Sequence, residues 1–358
     1  MCRTLSFNII LIVIYSMLVT ACKKSEDRGG NPQTPADVYI VGSINANATI
    51  WKNGVATPLV NSNPYGGTFS SSDATAIVAS GNDIYVSGYG ILSGGGGGAF
   101  YWKNGLIDTV SSVVPYIGNS MPGHVVAFAS SIAVSGNNVY LGGYQTNISL
   151  YQATYKNGSI IWKNGVPSGL GLPYSQITSI AVSNNDVYAT GNNIYGPDSA
   201  FYYKNGVRVN LPGAVNSVAK DIFVVGNNVY VVGITGNASQ SYNGVCWKDG
   251  VVNFVATNAT FMSMVVSGND VYISGSQQVN GIGVAAIWKN GVATYLAAPA
   301  GVNSYCDQVR VSGSDVYGVG TIFNSSDFSS ATLWKNGVAT TLAPATSYAW
   351  DIYISNRQ

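Results

Sequence analysis

The chain has 358 residues, among them 43 glycines and 24 tyrosines, with only 9% charged residues and a net charge of +1. A balance this close to zero leaves no basic stripe for reading phosphates, which argues against nucleic acid or an anionic membrane surface as the partner. Glutamate occurs once, at Glu26, whereas Val, Ile, Tyr, Thr and Gly are abundant, a composition that predicts strands and almost no helix.

In chain order, the first element is a leader, residues 1–21, with Arg3 near its start and a mainly apolar run from Phe7 to Val19. That run is too short to span a bilayer comfortably, and its order of charged, apolar and small residues is that of an export signal. Its end, Val19-Thr20-Ala21-Cys22, resembles the lipobox of bacterial lipoproteins. The resemblance implies that Cys22 becomes an acylated first residue and that the lipid bilayer is a partner through it. Lys23 in the next position, by the same resemblance, favours the outer membrane, and the following "KKSED" is similar to the charged tags of surface-exposed lipoproteins. Residues 22–36 then read as a tether. With Cys2 in the leader and Cys22 lipidated, Cys246 and Cys306 remain, and the repeat assigns them to units two apart, so both are expected as buried free thiols.

From residue 37 the chain repeats itself. Trp-Lys-Asn-Gly or a close variant begins at Trp51, Trp102, Trp162, Tyr203, Trp247, Trp288 and Trp334, seven times at intervals of 41 to 60 residues. A second phrase runs in step: "DVYIVG" at 37–42, then "GNDIYVSG" at 81–88, "GNNVYLGG" at 136–143, "NNDVYATG" at 184–191, "GNNVYVVG" at 226–233, "GNDVYISG" at 268–275 and "GSDVYGVG" at 313–320. Each unit reads as four strands, A to D; in the sixth they are predicted at 262–267, 270–275, 285–289 and 292–296. Gly-Asn and Asn-Gly, which tolerate positive φ, make the A–B and C–D turns. In this reading the tetrad is architecture: Asn-Gly turns the chain, Lys is a solvated edge residue, and Trp packs a strand against its neighbour.

Strand C is apolar on both faces, as in "AAIW" at 285–288, so each sheet must be covered on both sides. Radially arranged blades meet that demand. Seven such repeats resemble a seven-bladed β-propeller, an all-β fold covering residues 37–358. The first unit has no strand A before it, and the last residues, "AWDIYISN" at 349–356, match the strand A phrase "AKDIFVVGN" at 219–227. Residues 351–355 are therefore expected to supply the first blade's innermost strand and close the ring.

Topology puts the tight turns on a lower face, with an outer ring of Lys52, Lys103, Lys163, Lys204, Lys248, Lys289 and Lys335 and an inner set of Asp83, Asp186, Asp270 and Asp315. The upper face carries long, variable segments at 88–98, 111–129, 144–158, 234–243 and 297–307. Variable loops on a rigid scaffold are where binding residues usually sit. Among the tyrosines expected there are Tyr65, Tyr89, Tyr116, Tyr144, Tyr195 and Tyr305.

His124 is the only histidine. With no second histidine or cysteine pair nearby, no zinc site or histidine-based nucleophile system assembles, and His124 reads as an exposed loop residue. The glycine run at 94–98 lacks the Lys-Ser/Thr ending of a phosphate loop and reads as a flexible loop. No metal or other cofactor is expected. Asp221 and Asp351 occupy equivalent positions in strand A, where other units have Ala76, Ser131, Ser179, Ser263 and Gln308, and Arg310 is expected to point into the same channel. Two acids there could serve glycosidic chemistry at a suitable separation; the other reading is channel lining, with Asp221 paired to Arg310. The sequence thus predicts a monomeric, non-enzymatic binding module that takes a neutral glycan or a protein on a tyrosine-rich upper face. The alternatives are a carbohydrate-active enzyme using the channel aspartates and a purely structural partner in a surface complex.

Overall fold

The computed structural model describes residues 36–61, 68–93, 97–109, 124–148, 158–173, 175–193, 200–213, 217–236, 242–323, 328–344 and 346–355. The leader and tether, with Cys22, lie outside them. The described residues form 28 strands and no helix, arranged as seven four-stranded antiparallel blades. A single parallel bridge, Gly97 to Val126, links the second and third blades into one sheet. The protein is a seven-bladed β-propeller.

Closure follows the expectation and extends it. The first blade is completed by Ser347–Ile354, which pairs antiparallel with Val38–Ile44 along its whole length. That strand begins four residues earlier than the sequence phrase indicated. Ile352 and Ile354 are buried, and the Ser355 amide donates to the Asp37 carbonyl.

The tetrad holds each blade in three ways. Its Asn sits at φ of 49–52° and its Gly at 80–85°, with Asp249 in the Asn place in the fifth blade. That side chain accepts an amide at the start of strand B, as from Val271 to Asn290 at 2.9 Å, and in four blades the Asn also donates to the strand B aspartate. The Trp is fully buried against the preceding blade, where Trp102, Trp247 and Trp334 donate through Nε1 to the backbone carbonyls of Val60, Pro212 and Ala297. The Lys is more than an edge residue: in all seven blades its ammonium lies 5.2–5.5 Å from a strand B tyrosine ring. In five blades it also pairs with an aspartate at 2.7–3.2 Å. Cys246 and Cys306 are buried free thiols in the fifth and seventh blades.

The upper-face segments are shorter as loops than the sequence suggested, because strands run up into them. Sixth-blade strands A, B and C are Ala259–Ser267, Asp270–Val279 and Ile282–Lys289, with a tight Asn280-Gly281 turn between the last two. Gly97 and Gly98, expected in a flexible loop, belong to strand Gly97–Lys103; residues 94–96 lie outside the described set.

Candidate functional site: the upper channel

The glycine that ends each "VYxxG" phrase shapes the channel. Gly42, Gly88, Gly143, Gly191, Gly233, Gly275 and Gly320 each face strand A where a Cβ would run into a backbone carbonyl oxygen, from Tyr348, Asp73, Phe128, Gln176, Val218, Thr260 and Tyr305 respectively. The close approach accompanies a β-bulge in every strand A. A bulge sets two residues against one and re-aims side chains. Here the extra residues are Thr75, Ser130, Thr178, Lys220, Met262, Asp307 and Trp350, and all seven line the channel together with the residue that follows each of them.

The resulting cavity has a volume of about 740 Å³. One wall is aromatic. Tyr89 meets Phe128 edge-on at 4.8 Å, and Phe128 stacks with Tyr144 at 4.7 Å. Nearby, Trp350 stacks on Tyr348 at 5.2 Å and donates through Nε1 to both oxygens of Asp73 at 3.0 Å. Burial pushes the Asp73 carboxyl up to about 6, although its hydrogen bonds from Trp350, Ser43 and Ala74 oppose that rise. Burial likewise raises the Tyr89 hydroxyl to about 12, aided by the neighbouring Asp73.

The two aspartates singled out from sequence are occupied structurally. Asp351 accepts the amides of Ile352 at 2.7 Å and Ile77 at 2.9 Å, so it joins the first blade to the second. Asp221 accepts the amides of Ile222 and Met264 and the Ser179 hydroxyl, which joins the fifth blade to the sixth and the fourth. Both cap backbone donors on the open inner edge of the blades, groups that would otherwise lack protein partners. Arg310 does enter the channel, but its partner is Asp351 at 3.2 Å and not Asp221. The pairing follows from adjacency: Arg310 and Asp351 stand on neighbouring blades, whereas Asp221 is two blades from Arg310. Burial raises the Asp351 carboxyl, with Arg310 and the two amides pulling against the rise.

Other expected site residues are distributed differently. Tyr89 and Tyr144 line the cavity from strands Asp83–Ile91 and Asn138–Ile148, not from loops. Tyr305 lies in strand Ser304–Ser312 with its ring against Phe323, outside the cavity lining. His124 opens strand His124–Ser135 where a loop was expected, because strand A of the third blade extends upward; its side chain lies outside the described residues. Tyr65, Tyr116 and Tyr195 also fall outside them. Sequence reasoning passed over Asp73, Lys220, Asp307 and Trp350. Three of these stand one residue before the channel positions already identified, and the bulge that brings them in was signalled only by the repeated glycine.

No protein-family signature and no curated relative matches the chain. Among solved structures, it resembles the S511A mutant of puromycin hydrolase complexed with PGG, at a TM-score of 0.51 and 12% identity over 87% of this chain and 52% of that one. It also resembles the β-propeller domain of the Trilobed protease from Pyrococcus furiosus, at 0.47 and 10% over 87% and 96%. A Trypanosoma rangeli sialidase in complex with the inhibitor DANA follows at 0.46 and 9% over 82% and 56%. The chain spans about half the length of the puromycin hydrolase, and what is shared is the fold.

Proposed function

We propose that the protein is a non-enzymatic binding module, held on a bacterial outer membrane through lipidated Cys22, that takes a neutral glycan or a polypeptide at the upper end of its channel. The observation that carries this reading is the cavity of about 740 Å³ with its aromatic wall of Tyr89, Phe128, Tyr144 and Trp350. Ligand sites are typically concavities of this size, lined by aromatic side chains and a few polar groups. An enzymatic role for Asp221 and Asp351 is the weaker reading, because each carboxylate already accepts three hydrogen bonds, out of about four acceptor sites, that hold it as a link between blades.

The lipid anchor rests on Val19-Thr20-Ala21-Cys22. A tether of 15 residues has a root-mean-square reach of roughly 20 Å, and the first strand begins on the lower face, where Asp37 meets Lys52.

The test is a screen of neutral glycans and uncharged peptides against the purified protein. Tyr89→Ala with Tyr144→Ala should weaken binding, whereas Lys103→Gln, Lys163→Gln and Lys289→Gln should not. An uncharged ligand also leaves affinity almost independent of salt. Binding that survives the tyrosine changes but is lost with the lysine changes or with salt would move the site to the lower face.

A further inference from the structure

The seven bulge residues divide into two groups. Thr75, Ser130 and Thr178 carry small hydroxyls, and Thr75 and Thr178 donate theirs to the backbone carbonyls of Ala129 and Ala219 on the next blade. Lys220, Met262, Asp307 and Trp350, on the consecutive fifth, sixth, seventh and first blades, break that pattern of small hydroxyl residues. Lys220 and Asp307 are near enough to feel each other's charge, yet among the described residues they form neither an ion pair nor a hydrogen bond. This contrasts with Asp221 and Asp351 in the same cavity, whose oxygens are all engaged.

Both side chains are half-buried and face the cavity, where the surrounding strands leave an ammonium and a carboxylate less well hydrated than at an open surface. Burial accordingly pushes the Asp307 carboxyl up to about 7 and the Lys220 ammonium down. A ligand that donates to one and accepts from the other relieves both. In the same cavity, on the blade that follows that of Asp307, Trp350 offers a plane fixed on one side by stacking on Tyr348 and at its edge by the Asp73 carboxylate. Such a ring suits a ligand with an apolar C–H face. The cavity lining holds four carboxylates, Asp73, Asp221, Asp307 and Asp351, against two cations, Lys220 and Arg310, a balance that disfavours an anion.

Adjacent hydroxyls on a puckered ring with a C–H face meet all three demands at once. We propose that Lys220, Asp307 and Trp350 form a saccharide subsite: a sugar ring packs on Trp350, one hydroxyl donates to the Asp307 carboxylate, and the oxygen of its neighbour accepts from the Lys220 ammonium. In a peptide the apolar ring that packs on an aromatic side chain, a proline, carries no donor of its own, whereas a sugar ring carries hydroxyls around the same C–H face. This inference rests on the channel-binding reading and narrows its ligand to neutral carbohydrate.

The experiment applies one array of neutral oligosaccharides and one of uncharged peptides to the full protein, with calorimetric titration of each hit. Asp307→Asn and Lys220→Met should each weaken saccharide binding about 10-fold or more, since each removes a hydrogen bond to a charged group. Trp350→Ala should weaken it comparably, while Trp350→Phe, which keeps a flat ring, retains most of it. Lys289→Gln should bind as the unaltered protein does, and melting curves establish that each variant is folded. Peptide binding alone, at the cavity, would overturn the saccharide subsite and leave the channel reading intact; no binding on either array would overturn both. Saccharide binding indifferent to all three positions would place the sugar elsewhere and overturn the subsite.

Discussion

Replacing Asp351 by alanine removes one acceptor from three donors at once: the Ile352 amide at 2.7 Å, the Ile77 amide at 2.9 Å and the Arg310 guanidinium at 3.2 Å. Each buried donor left unpaired costs about 1–3 kcal/mol. The Arg310 side chain, 31% exposed, recovers part of its loss from water. The sum is about 3–6 kcal/mol, a large share of the roughly 5–15 kcal/mol that holds a typical protein folded. For a domain of this size it corresponds to a fall of roughly 4–9 °C in melting temperature. The natural control is Ser131→Ala at the equivalent position of the third blade, where the hydroxyl has no partner among the described residues; removing it strands no donor or acceptor and should not destabilise the protein. Thermal unfolding followed by far-ultraviolet circular dichroism reads both. If the Asp351→Ala protein melts like the unaltered one, or Ser131→Ala is equally damaging, the aspartate is not a blade staple.

Truncation before Ser347 strips the first blade of its inner strand and exposes its edge; losing the buried Ile352 and Ile354 alone costs on the order of 3–6 kcal/mol, so aggregation or a sharply lowered melt should appear in light scattering and calorimetry. In the second blade, Asn104→Asp sets two carboxylates against each other beside Lys103 and should destabilise, while Asp83→Asn combined with Asn104→Asp should recover stability in denaturant titrations, because the fifth blade already carries that arrangement as Asn228 and Asp249. Asp307 has its carboxyl raised from 3.8 to about 7, so its contribution to stability is complete below about 3.8 and is lost as pH rises through about 7; the stability of Asp307→Asn relative to the unaltered protein should therefore improve from pH 4 to pH 8, and a constant difference would contradict the burial of that carboxyl. Cys22→Ala should release the protein from membranes, and continued sedimentation with them would remove the lipid anchor.

The fold was legible because its signals are local and repeated sevenfold. Asn-Gly demands a tight turn, a strand apolar on both faces demands two covering sheets, and "AWDIYISN" repeats the phrase of an inner strand. The candidate site was only half legible. Channel positions such as Asp221 and Asp351 could be aligned from the repeats, but an alternating strand turns their predecessors away from the channel. The bulge opposite each repeated glycine reverses that for Lys220, Asp307 and Trp350. Partner choice was also hidden: the Arg310 pairing depends on which blades are neighbours and on what the Asp221 oxygens already accept. Tyr89 and Tyr144 looked like loop residues because the strand B phrase stops at the glycine while the strand itself runs on past it.

Binding of this kind requires that ligand enter the upper channel. Hydrogen exchange resolved by segment, with and without a ligand from the screen, tests it most directly. Ligand in the channel should add protection in the inner strands at 73–78, 220–223, 307–310 and 350–352, and none at the lower turns at 53–54, 104–105 and 290–291. Protection confined to those turns or to the outer strands, with the inner strands unchanged, would contradict it.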